Sequence, residues 1–334
     1  MYTLNGALGS PYSMKMRALL RYRRIPYLWV HGTDSRDALS KVKAPVIPVM
    51  EYPDGTFHND STPLIYDLEA RHTERSVIPP DPARAFIAHL IEDFADEWVT
   101  KAMFGYRWLE EVDQIQMSRW LAFDAMKGGG LAASQGYAEQ FRARQVGRMA
   151  IVGCAAENFP LIEASTRALL GALEAHVVDH HCLFGSRPSI AEFGMYGQLS
   201  QLGVDPTAQA MMRKDFPYSF RWLLHIDDMS GIDGQWDTEI AGADAPFAPV
   251  ITAWLKQVGD IYIPFLLANA AAIEAGEDSF HISAMGLPYT QGVFKYQVKC
   301  LADLRARYAA LDATTRGRID PLLAQTGCLD ALLN

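Results

Sequence analysis

Ser10-Pro11-Tyr12-Ser13 decides the fold, read together with Ile47-Pro48 and with Asp60-Ser61-Thr62-Pro63 further along. Around these fragments, short strand-like and helix-like segments follow in a definite order. Tyr2-Thr3-Leu4 reads as a strand, the residues after Pro11 as a helix, and Tyr27-Leu28-Trp29-Val30 as a second strand. Val46-Ile47-Pro48-Val49-Met50-Glu51 predicts a third strand, Pro53-Asp54-Gly55 a tight turn, and Thr56-Phe57-His58 a fourth, short strand. A helix then begins near Ser61-Thr62-Pro63. The order is a β-α-β unit followed by a β-β-α unit.

The same residues carry chemistry. Pro11 suits the first turn of a helix, where its missing N–H costs nothing. Ser10 therefore stands at the helix start, where unpaired backbone N–H groups and the helix dipole favour an anion. No acidic residue precedes Asp34, so the local field is positive. Met14, Ala18 and Leu19 form an apolar side of this helix, and Lys15, Arg17, Arg21 and Arg24 read as a solvated face. Proline inside an otherwise buried strand marks a special backbone position. At Ile47-Pro48 a cis peptide would turn the backbone of Ile47 outward, offering its N–H and C=O to an extended ligand. Ser61 or Thr62 reads as an N-cap with Pro63 in the first turn, which makes a second place for a carboxylate.

This segment resembles the glutathione-binding domain of cytosolic glutathione transferases, a thioredoxin-like fold. Ser10-Pro11-Tyr12-Ser13 stands where glutaredoxins carry Cys-Pro-Tyr-Cys, with both sulfurs replaced by hydroxyls. The resemblance implies that Ser10 is the catalytic residue, with Tyr12 and Ser13 as alternates. It implies that Ile47 and Pro48 are glutathione-binding, Ile47 pairing with the peptide backbone ahead of the cis-proline Pro48, and that Asp60 and Ser61 hold the γ-glutamyl end. Glutathione is then the co-substrate, a hydrophobic or aromatic electrophile the second substrate, and a homodimer the expected assembly.

The implied mechanism follows from sulfur chemistry. A thiol attacks as thiolate, and a free thiol with a pKa near ~8.5 is mostly protonated at neutral pH. Lowering that pKa by about two units needs about 2.7 kcal/mol of preference for the charged form. A hydroxyl donating to the thiolate supplies ~1.5–3 kcal/mol, and the helix N-terminus adds ~0.3–1 kcal/mol. Ser10 is thus expected as a hydrogen-bond donor, not a nucleophile. Serine cannot form the mixed disulfide open to cysteine, which favours conjugation, ether cleavage or isomerisation over thiol exchange. A lyase or isomerase is the enzymatic alternative, and a non-catalytic binding or scaffold protein the alternative from another class.

The 334 residues suffice for two or three domains, and 49% hydrophobic with 21% charged residues is an ordinary globular composition. A net charge of −9 argues against nucleic acid or an anionic membrane as partner. The apolar stretch from Ile261 to Ile273, interrupted by Pro264 and Asn269, reads as too short to span a bilayer. Cys154, Cys182, Cys300 and Cys328 lack any Cys-x-x-Cys spacing, which suits reduced thiols in a cytoplasm. His176, His180, His181 and Cys182 fall at a helix end without a carboxylate ligand pattern, so no metal is assigned.

The expected organisation is a thioredoxin-like α/β domain over 1–78, an all-helical domain over 83–230 and a helical extension over 231–334. Val77-Ile78-Pro79-Pro80-Asp81-Pro82 is the linker. Beyond it, Phe86, Leu90, Phe94 and Trp98 form one long stripe, and Leu169, Leu170, Leu173 and Val177 mark a second helix. Ser189-Ile190-Ala191-Glu192 is a capping box, in a stretch resembling the folding motif of the same family's helical domain. Tyr106, Arg107 and Trp108 are the candidate substrate wall, although three consecutive helical residues cannot share one face. Gly128-Gly129-Gly130 lacks the features of a phosphate loop and reads as a plain connection. In the extension, Pro264 predicts a kink or break. Tyr296, Cys300, Leu304, Tyr308 and Leu311 predict a helix, and Asp312 to Thr315 caps one ending near Gly327.

Overall fold

The computed structural model of the chain describes residues 1–126, 128–238 and 247–333. The N-terminal part is a four-stranded mixed sheet in the order β2-β1-β3-β4, built from β1 (Tyr2–Gly6), β2 (Tyr27–His31), β3 (Val49–Glu51) and β4 (Phe57–Asn59). β1 and β2 run parallel, with Leu4 opposite Trp29, as a helical crossover requires. β1–β3 and β3–β4 are antiparallel, and the tight Tyr52–Thr56 turn joins the latter pair. A short α2 (Arg36–Ser40) follows β2, and helices α1 (Pro11–Tyr22) and α3 (Ser61–Arg71) pack on one another, α1 touching β1 and α3 touching β4. This is a thioredoxin-like α/β domain followed by a largely helical region.

Two details depart from the sequence reading. The third strand begins only at Val49, because the Ile47–Pro48 peptide is cis and leaves Val46 and Ile47 outside the ladder. The long stripe through Phe94 and Trp98 is not one ideal helix. α4 (Pro82–Phe94) passes through a π turn at Ala95–Val99 into α5 (Thr100–Leu109). That wider turn shifts the helical phase. Tyr106, Arg107 and Trp108 are all buried, at 4%, 3% and 1% exposure.

The remaining helices are α6 (Glu111–Met126), α7 (Leu131–Val146), α8 (Phe159–Val177), α9 (Ile190–Leu202), α10 (Pro206–Asp215) and α11 (Pro217–Asp227). By contacts the chain forms two compact units. One holds Met1–Val77, Tyr106–Gly147 and Glu192–Asp233; the other holds Ile78–Gly105, Arg148–Ala191 and Gly234–Asn334. Crossings at 77/78 and 233/234 lie close to the expected boundaries, whereas those at 105/106, 147/148 and 191/192 fall within the expected helical domain. In the first unit, α6 packs on α7 and α10, and α10 on α11.

In the second unit, α12 (Pro249–Gln257), a π turn at Val258–Tyr262 and α13 (Ile263–Ala275) form one continuous helical run. Pro264 does not break it, because the preceding π turn and the position of Pro264 at the start of α13 relieve the missing N–H. The apolar stretch from Ile261 to Ile273 is thus part of a longer helical run. Pro249–Ala275 is a helix of 27 residues with mean hydropathy 1.3, long and apolar enough to cross a membrane by length and composition only, and 44% of that window is buried. Its apolar side packs as a core helix does: Trp254 donates to the Leu169 carbonyl of α8 at 3.2 Å, and Phe265 stacks edge-on against Phe280.

The last hundred residues are not helical throughout, which is a second correction. β5 (Ser279–Ala284) and β6 (Leu287–Gly292) form a hairpin with Ala284 opposite Leu287. Its two-residue turn, Met285-Gly286, has φ of 52° and 74°, the geometry of a type I′ turn. α14 (Lys295–Ala309), α15 (Ala313–Thr326) and α16 (Leu329–Leu333) complete the chain. Asp312 caps α15 by accepting from the Thr315 N–H at 2.9 Å, and Gly327 closes it in the left-handed conformation, as the sequence indicates.

Candidate functional site

Ser10 occupies the N-cap of α1 in extended conformation, and its hydroxyl oxygen accepts from the Ser13 N–H at 3.3 Å. The side chain is half-buried, and among the described residues nothing takes its proton. Its backbone N–H donates to the Ala7 carbonyl at 3.1 Å. Ser13 lies deeper. It is fully buried, its oxygen accepts from the Ala7 N–H at 3.3 Å, and it abuts Gly6, where an added Cβ would fall 2.5 Å from that oxygen. Tyr12 is half-buried. Of the three hydroxyls, Ser10 therefore combines partial exposure with an uncommitted proton at a helix N-terminus.

Pro48 is buried and in cis linkage, and Ile47 beside it is half-buried. Among the described residues the backbone N–H and C=O of Ile47 have no hydrogen-bond partner. The preceding loop is tied down by Asn59, whose amide donates to the carbonyls of Ala44 and Val46 at 2.6 and 3.3 Å. A fixed strand edge with open polar groups is what an extended peptide needs.

α3 opens one residue earlier than expected. Asp60, not Ser61 or Thr62, takes the cap position, and its side chain makes no capping bond. Its backbone sits at φ 76°, ψ 111°, a region that L residues adopt at a cost of about 1–3 kcal/mol. Ser61 follows at the first helical position, 4% exposed, and accepts from the Lys15 ammonium at 3.2 Å. Lys15 was expected on a solvated face and is instead fully buried. Arg17 lies over the Trp29 ring at 4.7 Å, and Arg21 pairs with Asp227 at 3.0 Å. The reading of a solvated face is thus corrected at Lys15, whereas Arg17 and Arg21 are half-buried and Arg24 is exposed as expected. A buried cation donating to the hydroxyl of Ser61 is a feature that helical spacing alone does not reveal.

The expected substrate wall is interior. Tyr106 donates to the Met211 sulfur at 3.5 Å, and Trp108 packs against Phe141 at 6.0 Å. Arg107 donates from Nε to Asp205 Oδ2 at 3.0 Å and from Nη1 to the Gly9 carbonyl at 2.9 Å. Its Nη2 donates to the carbonyl and side-chain oxygens of Gln201 at 2.9 and 3.1 Å. These three residues are assigned no contact with a substrate. Asp205 precedes Pro206 at the N-cap of α10 yet makes no capping bond there. Asp113 of α6 accepts the Thr207 N–H instead, at 2.8 Å, which leaves Asp205 for Arg107. Burial pushes the Asp205 carboxyl up to about 6, against the pull of Arg107 and with a smaller push from Asp113.

Elsewhere, His176 donates its ring N–H to the Cys182 carbonyl at 3.1 Å, and among the described residues the four buried cysteines form no disulfide. Ser189 accepts from the Ala191 N–H at 3.2 Å, a capping role.

Comparison with known proteins places this geometry. No curated protein matches the chain. Among solved structures, a glutathione S-transferase from Rhodospirillum rubrum F11 is 18% identical, with 69% of this chain and 90% of that one covered at a TM-score of 0.46. One from Methylobacterium radiotolerans, in complex with glutathione sulfonate, is 20% identical, covering 72% and 97% at 0.42. The Tau class enzyme of mango is 18% identical, covering 69% and 90% at 0.41. Residues 4–76 match the family model described as glutathione S-transferase, N-terminal domain. With its β-α-β and β-β-α units and its cis proline ahead of β3, the N-terminal domain is similar, over the matched residues, to the N-terminal domain of glutathione S-transferases.

Proposed function

We propose that the protein is a glutathione transferase in which the Ser10 hydroxyl stabilises the glutathione thiolate for attack on an aromatic or hydrophobic small-molecule electrophile. The observation that carries this reading is the free proton of Ser10 at the start of α1, whose oxygen is already oriented by the Ser13 N–H. A donor of that kind contributes ~1.5–3 kcal/mol to an anion, enough with the helix N-terminus to move a thiol pKa by about two units. Ile47 would pair its open backbone groups with the peptide. Asp60 and Ser61 would hold the γ-glutamyl amine and carboxylate, Lys15 behind Ser61 adding positive charge for the carboxylate. A homodimer follows from the resemblance, and a cytoplasmic setting from the cysteine pattern.

The test is turnover of 1-chloro-2,4-dinitrobenzene with glutathione. Ser10→Ala is expected to lower kcat ~10- to 100-fold, the loss of one hydrogen bond to a charged group, while retention on immobilised glutathione persists. An unchanged rate would move the role to another hydroxyl. Absence of both retention and turnover in the unaltered protein would sink the transferase reading.

A further inference from the structure

One side chain holds the turn that delivers Ser10 to α1. Arg107 donates to the Gly9 carbonyl at 2.9 Å, and that carbonyl belongs to the peptide group shared with the Ser10 N–H. Because the peptide is planar, fixing its oxygen also fixes the direction of the N–H, which reaches Ala7 at 3.1 Å. Leu121 of α6 closes the other side: a Cβ added to Gly9 would lie 2.4 Å from its Cδ2. The guanidinium is itself immobilised by Asp205 and by both oxygens of Gln201. Arg107 is 3% exposed and Asp205 fully buried, so water does not compete for the bonds to Asp205 and Gln201, and the Gly9 bond is part-buried.

We infer that Arg107, with Asp205 as its counter-charge, is a positioning residue of the Ser10 site: it anchors the Gly9–Ser10 peptide and so sets where the hydroxyl meets the sulfur. This rests on the reading of Ser10 as the thiolate donor and deepens it. A hydrogen bond to an anion depends steeply on donor position, so a loosened turn costs thiolate formation more than peptide binding. Sequence alone points Arg107 at a substrate. The geometry points it at the catalytic loop.

The experiment compares Arg107→Met with the unaltered full chain by two readouts. Amide hydrogen exchange at Ser10 and Ser13 reports the turn directly, without glutathione. Ultraviolet titration of bound glutathione reports the thiolate. Arg107→Met is expected to speed exchange at both amides roughly tenfold, the loss of about one buried hydrogen bond. It should raise the pKa of the bound thiol and lower kcat about tenfold with KM for glutathione within about threefold. Added to Ser10→Ala, it should cost nothing more. Unchanged exchange at both amides, or losses that add in the double variant, would overturn the inference. If the unaltered protein forms no thiolate, the transferase reading fails, and exchange at Ser10 and Ser13 still decides whether Arg107 positions the turn. Should Arg107→Met not fold, Arg107→Lys keeps the buried charge but cannot serve Gly9, Asp205 and Gln201 together. Wild-type exchange in that variant would equally overturn it.

Discussion

Arg107 meets Asp205 in one compact unit, and His89 meets Asp303 in the other, at 3.0 and 2.9 Å. On distance the two pairs are alike. Asp205 is fully enclosed, and burial drives its carboxyl up to about 6 although a guanidinium touches it. The Asp303 side chain is half exposed, and hydrogen bonds from His89 and Arg307 hold its carboxyl down at about 2. Contact with a basic group thus does not fix the sign of an ion pair's effect; desolvation does. The enclosed carboxylate holds its charge against desolvation, whereas the half-exposed one keeps its hydration.

The largest effect should come from breaking the enclosed pair. Arg107→Met leaves the Asp205 carboxylate and the Gly9 and Gln201 carbonyls without their donor in the interior. At pH 7 urea unfolding should report a loss of about 3–5 kcal/mol, the usual cost of stranding one partner of a buried pair. At pH 5 the loss should shrink, because Asp205 then carries a proton. Equal losses at both pH values would mean that the carboxyl is not enclosed as described.

A somewhat smaller effect isolates the charge. The folded-state pKa of Asp205 lies above its ordinary value of 3.8, so the folded protein binds the proton more tightly than the unfolded chain. Stability from this group is complete below about pH 4 and is lost as pH rises through 6. The two-unit gap corresponds to about 2–3 kcal/mol at most. Asp205→Asn should flatten the urea midpoint between pH 4 and 6, whereas a slope identical to that of the unaltered protein would assign the effect to another group.

The same contrast explains what was legible in the sequence. The N-terminal domain announces itself through local signals: Pro11 after Ser10, proline within a strand at Pro48, and Asp60-Ser61 ahead of a helix. Each acts on its own backbone within a few residues, and the structure shows the cis peptide and the capping of α1 where those signals stand. Lys15 and Arg107 were misread because their partners, Ser61, Asp205 and Gln201, lie 46 to 98 residues away. A charge at helical spacing looks solvated until the packing around it is known. The β5–β6 hairpin was missed for another reason. Phe280 and Ala284, then Tyr289 and Gln291, alternate inward with period two, but Met285-Gly286 is not one of the commonest hairpin turn pairs. The phase shift at Ala95–Val99 left no local mark at all, since a π turn looks like ordinary helix in sequence.

The exposed pair should show the smallest effect and the opposite sign. The folded-state pKa of Asp303 is about 2, below its ordinary 3.8, so its contribution is present above about pH 4 and lost as pH falls through 2. Solvent screens a half-exposed carboxylate, which limits the contribution to about 1 kcal/mol or less. Asp303→Asn should therefore lower the urea midpoint slightly at pH 5 and not at all near pH 2. Added salt should weaken the difference, whereas it should leave the Asp205 slope nearly intact, because enclosed charges are shielded from mobile ions. If salt erased both effects alike, the enclosed and exposed pairs would not differ in the way their burial requires.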